Sequence, residues 1–183
     1  NENEAGQRFD KYLAKLLREG PKSFFYKMMR KKNITLNGKK ATGNEKLLSG
    51  DHVKLFLSDE TFEKFSGSIA APRAHHVLDI IYEDENILLI NKPAGMLSQP
   101  ADDGTPSLVE YLTGYLLENG SLTEEDLRTF RPSVCNRLDR NTSGLIAAGK
   151  SLVGLQTLSE MFKLRELHKY YLCLVEGILD EEK

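Results

Sequence analysis

The chain has 183 residues, 40% hydrophobic and 28% charged, with a formal net charge of −2. That balance is typical of a soluble globular protein, with room for one large domain or two small ones. The longest apolar run, Ile87 to Ile90, is strand-sized, far below the length of a membrane span.

Polar, acidic Asn1-Glu2-Asn3-Glu4 reads as no signal peptide, and the missing initiator Met suggests a trimmed or processed start. Cys135 and Cys173 lie far apart in apolar segments, with neither CxxC nor Cys/His zinc spacing. They are expected to be buried free thiols in a reducing cytosol. Charge is unevenly spread. Residues 1–58 carry 13 Lys and Arg against 6 Asp and Glu, whereas residues 59–183 carry 12 against 21. A basic front on an acidic back predicts two modules, the front one suited to a polyanion.

Gln7 to Arg18 places Phe9, Leu13, Leu16 and Leu17 at helical spacing, and Gly20-Pro21 ends that helix. A second helix is expected from Ser23, as N-cap, to Lys31 or Lys32. On it Lys27, Arg30 and Lys31 share a face, while Phe25, Met28 and Met29 turn toward the first helix. Ile34-Thr35-Leu36 is a short strand, Asn37-Gly38 a hairpin turn, and Lys39 and Lys40 lie on the return strand. Asp51 to Leu57 is a further strand with Val53, Leu55 and Leu57 alternating. Basic groups on two consecutive elements favour RNA binding over a merely solvated face.

The stretch from Arg8 to Leu13, the helix from Ser23 to Lys32 and the run from Ile34 to Lys39 together resemble the S4 RNA-binding domain over about Ala5 to Leu57. The resemblance implies binding to structured RNA, with Lys27, Arg30, Lys31 and Lys39 as contacts. Residues 1–60 form this module, 61–76 a linker, and 77–183 the second domain.

In the second domain, Leu78 to Tyr82 and Ile87 to Asn91 flank an acidic turn and read as a hairpin. Lys92-Pro93-Ala94-Gly95 then re-aims the chain. A capping box, Ser107 to Glu110, starts a helix with Leu108, Tyr111, Leu112, Tyr115 and Leu116 on one stripe. Thr123 to Asp126 starts another short helix. Leu152, Leu155, Leu158 and Phe162 mark a third, and His168 to Glu176 reads as a strand with Cys173 packed in it. Strands and helices alternate, which predicts an α+β class. There is no GxGxxG and no phosphate loop. His75 and His76 read as surface residues, and Asp102-Asp103 as a loop.

Between Pro132–Cys135 and Leu145–Ala148 lies Asn136-Arg137-Leu138-Asp139-Arg140-Asn141-Thr142-Ser143-Gly144, read as strand, tight loop, strand. Two arginines within two residues of Asp139 would favour its ionised form, as suits a carboxylate nucleophile or base. A turn residue or a structural ion pair would look the same, and the arginines could equally bind phosphate.

This stretch resembles the active-site motif of the RluA family of pseudouridine synthases, which usually starts with His where this chain has Asn136. Asn91 to Gly95 is similar to the family's lysine-proline-glycine motif, and Lys169 to Leu172 with Val175-Glu176-Gly177 to its lysine-x-tyrosine strand. The resemblance implies a small S4 module followed by part of a mixed, largely antiparallel catalytic domain that isomerises uridine in RNA, most often large-subunit ribosomal RNA. Asp139 would be the catalytic aspartate, attacking the uridine at the sugar C1′ or at the base, or initiating glycosidic cleavage. Arg137 would fill the gap left by the flipped base, Tyr171 would pack against that base, and Arg140 would contact RNA. The reaction exchanges a C–N for a C–C bond without redox change, so no cofactor or metal is expected. A monomer in the cytoplasm, free of membranes, completes the expectation. No Thr-Gly-Arg-x-His-Gln-like segment follows, so a fragment that is inactive alone is also expected. The alternative is a non-catalytic S4-type RNA-binding protein.

Overall fold

The computed structural model describes residues 3–67 and 74–177. In the front module α1 (Phe9–Leu16) and α2 (Lys22–Arg30) lie beside a three-stranded antiparallel sheet ordered β2-β1-β3. Its strands are β1 (Ile34–Leu36), β2 (Lys39–Lys40) and β3 (Val53–Leu55). The helices bury the stripe that their spacing marks out. Phe9, Leu13, Leu17, Phe25, Met29 and Ile34 are all at most 1% exposed and form one core. At the β1–β2 turn, Asn37 and Gly38 take φ of 52° and 71°, the paired positive values of a tight hairpin.

Two expectations for this region are corrected. Helix α2 starts one residue earlier than Ser23, with Pro21 as its N-cap at φ −67° and ψ 145°. Proline's fixed φ sets up the helix entry without a side-chain cap. The stretch read as linker also opens with a helix, α3 (Asp59–Ser66). The Ser58 hydroxyl accepts from the Thr61 N–H at 3.3 Å, and Phe62 and Phe65 pack against the front core. Of the remaining linker, residues 68–73 lie outside the described residues.

The second unit is built on a four-stranded antiparallel sheet ordered β4-β5-β7-β6. Its strands are β4 (Ile80–Glu83), β5 (Ile87–Lys92), β6 (Ser133–Val134) and β7 (Gly144–Gly149). Helices α4 (Leu108–Glu118) and α5 (Leu152–Leu164) and a 3₁₀ turn at Asp126–Arg128 complete it. Leu88 and Ile90 of β5, Ile146 and Ala148 of β7, and Leu108, Leu112 and Leu116 of α4 form its buried core. The α+β class stands, with antiparallel pairing throughout the described strands. The two units touch through polar contacts. Arg18 donates to the Leu127 carbonyl at 3.3 Å, Thr129 to the Glu4 carboxylate at 3.0 Å, and the Leu152 N–H to Asn3 at 3.3 Å.

The strand expected at His168 to Glu176 is absent. These residues run without ladder partners, and Tyr170, Leu172 and Leu174 are 88%, 104% and 103% exposed. Alternating apolar residues make a strand only when a neighbouring strand supplies hydrogen bonds and a covered face. For the same reason Cys173 is exposed rather than packed, whereas Cys135 is half-buried, its thiol pushed up by burial.

Candidate active site

Lys92 at the end of β5 sits opposite Gly144 at the start of β7. The loop leaving β5 and the loop entering β7 therefore emerge side by side, and Asp139 lies in the second. Several ties join them. The Lys92 ammonium, fully buried, donates to the carbonyls of Pro93 at 2.9 Å, Met96 at 2.9 Å and Arg140 at 3.2 Å. An ammonium carries three protons and no acceptor, so its donors are all used. The Gly95 N–H donates to the Arg140 carbonyl at 2.7 Å, and the Arg140 Nε–H returns a bond to the Gly95 carbonyl at 3.1 Å. Gly95 holds φ at 88°, where a side chain would be strained. The Ser98 hydroxyl donates to the Leu138 carbonyl at 2.6 Å and accepts from the Leu138 N–H at 3.1 Å.

The loop is closed on its own side as well. Asn136 donates through Nδ2 to the Leu145 carbonyl at 3.2 Å and accepts from the Ala147 N–H at 2.8 Å. Its side chain thus extends the edge of β7 where the β6 backbone has left. The Thr142 N–H donates to the Asp139 carbonyl at 3.1 Å, which turns the chain at the acid. Leu138 packs into the core from below. Asp139 is exposed at the tip.

The structural ion pair left open for Asp139 does not form. Among the described residues no ion pair joins Asp139 to Arg137 or Arg140. Arg140 is drawn off to the Gly95 carbonyl, and Arg137 is exposed. Burial pulls the Lys92 ammonium below its ordinary value, and the charge of Asp139 partly holds it up. The result is a carboxylate open to solvent on a backbone fixed from four sides. A group held this way can attack a bound electrophile with little reorganisation.

The other expected residues fall in two places. Tyr171 is 64% exposed on the extended stretch beyond α5, with no hydrogen bond or ring contact to the Asp139 loop. Lys27 and Arg30 are exposed on α2, Lys31 just past its end and Lys39 on β2, and among the described residues none is in an ion pair. His75 bonds Glu118 at 2.7 Å and His76 lies against the Tyr111 ring at 5.0 Å. Among the described residues no group of three His, Cys, Asp or Glu is placed to hold a metal ion. Nor is any described helix long and apolar enough to cross a membrane. Sequence reasoning gave Lys92, Ser98 and Asn136 no task. The run from Lys92 to Gly95 reads as a change of direction and as a family motif without a role for the lysine, and nothing local points to Ser98.

The chain spans about half the length of the curated relatives it matches. It is 33% identical over 187 residues to the ribosomal large subunit pseudouridine synthase C of Vibrio vulnificus, covering 97% of this chain and 54% of that one. It is 32% identical over 174 residues to an uncharacterized RNA pseudouridine synthase of Mycoplasma genitalium, covering 93% and 53%. A solved human structure, RNA Pseudouridylate Synthase Domain Containing 4, covers 48% of this chain and 30% of its own at 22% identity and a TM-score of 0.38, too slight a likeness to build on. The RNA pseudouridylate synthase family model matches residues 86–183, which include β5, the Asp139 loop and α5. With more than half of its residues inside that match, the chain belongs to the RNA pseudouridylate synthase family.

Proposed function

We propose that the chain is the part of an RNA pseudouridine synthase that carries the nucleophile, acting on uridines of large-subunit ribosomal RNA. One observation supports this above the others. The Asp139 carboxylate is exposed and in no ion pair among the described residues, on a loop whose backbone is tied to a neighbouring loop and a strand. A structural aspartate would be spent on its neighbours; this one is held ready. The uridine's reacting atoms are inaccessible in stacked RNA, so the base must flip out, at about a few kcal/mol. Asp139 then attacks the flipped nucleotide. Exposed Arg137, two residues away, has a planar guanidinium suited to replace the lost stacking and to meet phosphate. Tyr171 packs on the base once the stretch beyond α5 is brought to the loop. Arg140 steadies the loop through Gly95 and adds positive charge beside the RNA.

In the same reading the front module, residues 1–60, is an S4-like RNA-binding domain that delivers substrate through Lys27, Arg30, Lys31 and Lys39. Their exposure, and the lack of an ion pair at any of them among the described residues, support it. The enzyme works as a monomer in the cytoplasm, where ribosomal RNA is the partner, and needs neither cofactor nor metal for an isomerisation without redox change.

The test is a map of pseudouridines in ribosomal RNA from cells lacking the gene. Wild-type gene should restore a missing site and Asp139→Ala should not, while RNA binding persists. Restoration by Asp139→Ala refutes the catalytic reading and leaves an RNA-binding protein.

A further inference from the structure

Backbone pairing of β6 with β7 ends just before the Asp139 loop. Its last rung runs from the Cys135 N–H to the Ala147 carbonyl at 2.7 Å. The N–H of buried Ala147 and the Leu145 carbonyl then go to the half-buried Asn136 side chain, at 2.8 and 3.2 Å. A carboxamide carries the same C=O and N–H as a peptide group, so this side chain replaces the rung that the backbone no longer makes. The Nδ2 bond also joins the first residue of the loop to its last. Asn136 to Leu145 is thereby closed at the neck, with Arg137 beside the closure and Asp139 inside it.

We propose that Asn136 is a positioning residue for the chemistry at Asp139. By standing in for a peptide group it lets the chain leave the sheet abruptly while the two ends of the loop stay together. The inference rests on the catalytic reading above and deepens it, since Asn136 acts through the loop and not on the uridine. Lys92 and Ser98 hold the loop from its other side, on the carbonyls of Arg140 and Leu138, so they do not replace the neck. The neck needs one donor and one acceptor on a short side chain. An aspartate has the same shape and keeps an acceptor for the Ala147 N–H. Ionised, however, it has nothing to donate and turns a second oxygen on the Leu145 carbonyl. Alanine supplies neither group. With the neck open, the ends of the loop part and Asp139 shifts from the position in which it meets substrate. A misplacement on the order of 1 Å costs about 100-fold in rate. The cations of the front module are untouched, so the loss falls on kcat and not on KM.

The experiment compares Asn136→Asp and Asn136→Ala with wild type in two ways. Amide exchange at Ala147 is followed by NMR in the 183-residue chain at neutral pH. The product of the complete gene gives kcat and KM for pseudouridine formation in a large-subunit ribosomal RNA transcript. In Asn136→Ala the Ala147 N–H should exchange at least about tenfold faster, whereas in Asn136→Asp it should stay protected. Both variants should lose about 10- to 100-fold in kcat, with KM near the wild-type value. Gly154→Ala, which presses on Asn86 at the end of β5 away from the loop, should keep the wild-type kcat. Wild-type kcat in both Asn136 variants, or an equal fall in Gly154→Ala, overturns the positioning role and leaves the catalytic reading standing. Unfolding of both Asn136 variants assigns the residue to stability alone and also overturns it. Slow exchange at Ala147 in Asn136→Ala overturns the neck itself, whatever the activity. No product from wild type overturns the catalytic reading and this inference with it.

Discussion

Lys92→Met removes the ammonium that joins the two loops while keeping a side chain of similar length. Three carbonyls lose a donor. That of Arg140 keeps the Gly95 N–H at 2.7 Å, but those of Pro93 and Met96 have no other partner among the described residues. A buried acceptor left unsatisfied costs about 1–3 kcal/mol; Met96 is half-buried, whereas exposed Pro93 can turn its carbonyl to water. Against this stands the dehydration of a charge that burial already disfavours, as the downward pull on Lys92 shows. The net loss should be about 1–2 kcal/mol, read as a lower urea midpoint with an unchanged slope. Pseudouridine formation in the gene product should fall with it, since the Arg140 carbonyl is the loop's tie to β5. A Met variant within about 0.5 kcal/mol of wild type would show that the carbonyls find other donors, and the anchoring argument would fail.

Two further outcomes test the surrounding scaffold. Burial raises the Glu83 carboxyl, but bonds from Lys150 at 2.5 Å and Tyr115 at 2.7 Å outweigh it and hold the group below its ordinary 4.5. A depressed carboxylate contributes stability that is full above the unfolded value and is lost as pH falls through the folded one. Glu83→Gln should therefore flatten the fall in Tm below about pH 4.5, and an unchanged acid limb would count against the pair. On α5, a Cβ at Gly154 would lie 2.1 Å from the Asn86 carbonyl oxygen in the β4–β5 turn. Gly154→Ala should lower stability by about 2 kcal/mol, since forced packing outweighs the helix gain of about 1. A rise in Tm would show that the turn yields.

Where a local signal and its partner lay within a few residues, the sequence was readable. The Asn37-Gly38 turn is of this kind, and so are the stripe of α4 and the reciprocal bond from the Ser107 N–H to Glu110 at 2.6 Å. Helix α3 carried such a signal too. Ser58 precedes two acids in the first turn, with Phe62 and Phe65 three apart, but the Ser-Gly-Ser-Ile-Ala-Ala-Pro run that follows has few periodic apolar positions and reads as linker. The stretch from His168 to Glu176 failed for the opposite reason. Its alternation is genuine, but a strand exists only with a partner, and none of the described strands pairs with it.

The site itself divides along the same line. Asp139 was visible because its neighbours, Arg137 and Arg140, are charged and close in sequence. Yet those arginines do not pair with it. The residues that hold the loop, Lys92 and Ser98, lie more than 40 positions away, and nothing in the sequence around Lys92 marks it as buried. Its burial follows from three carbonyls that meet only after β5 and β7 pair in register. The charges near Asp139 in sequence thus make no ion pair with it, while neutral backbone groups and one buried ammonium fix its loop. That separation lets the carboxylate be rigid in position and still unspent. An ion-paired Asp139 would have gained the first property at the expense of the second.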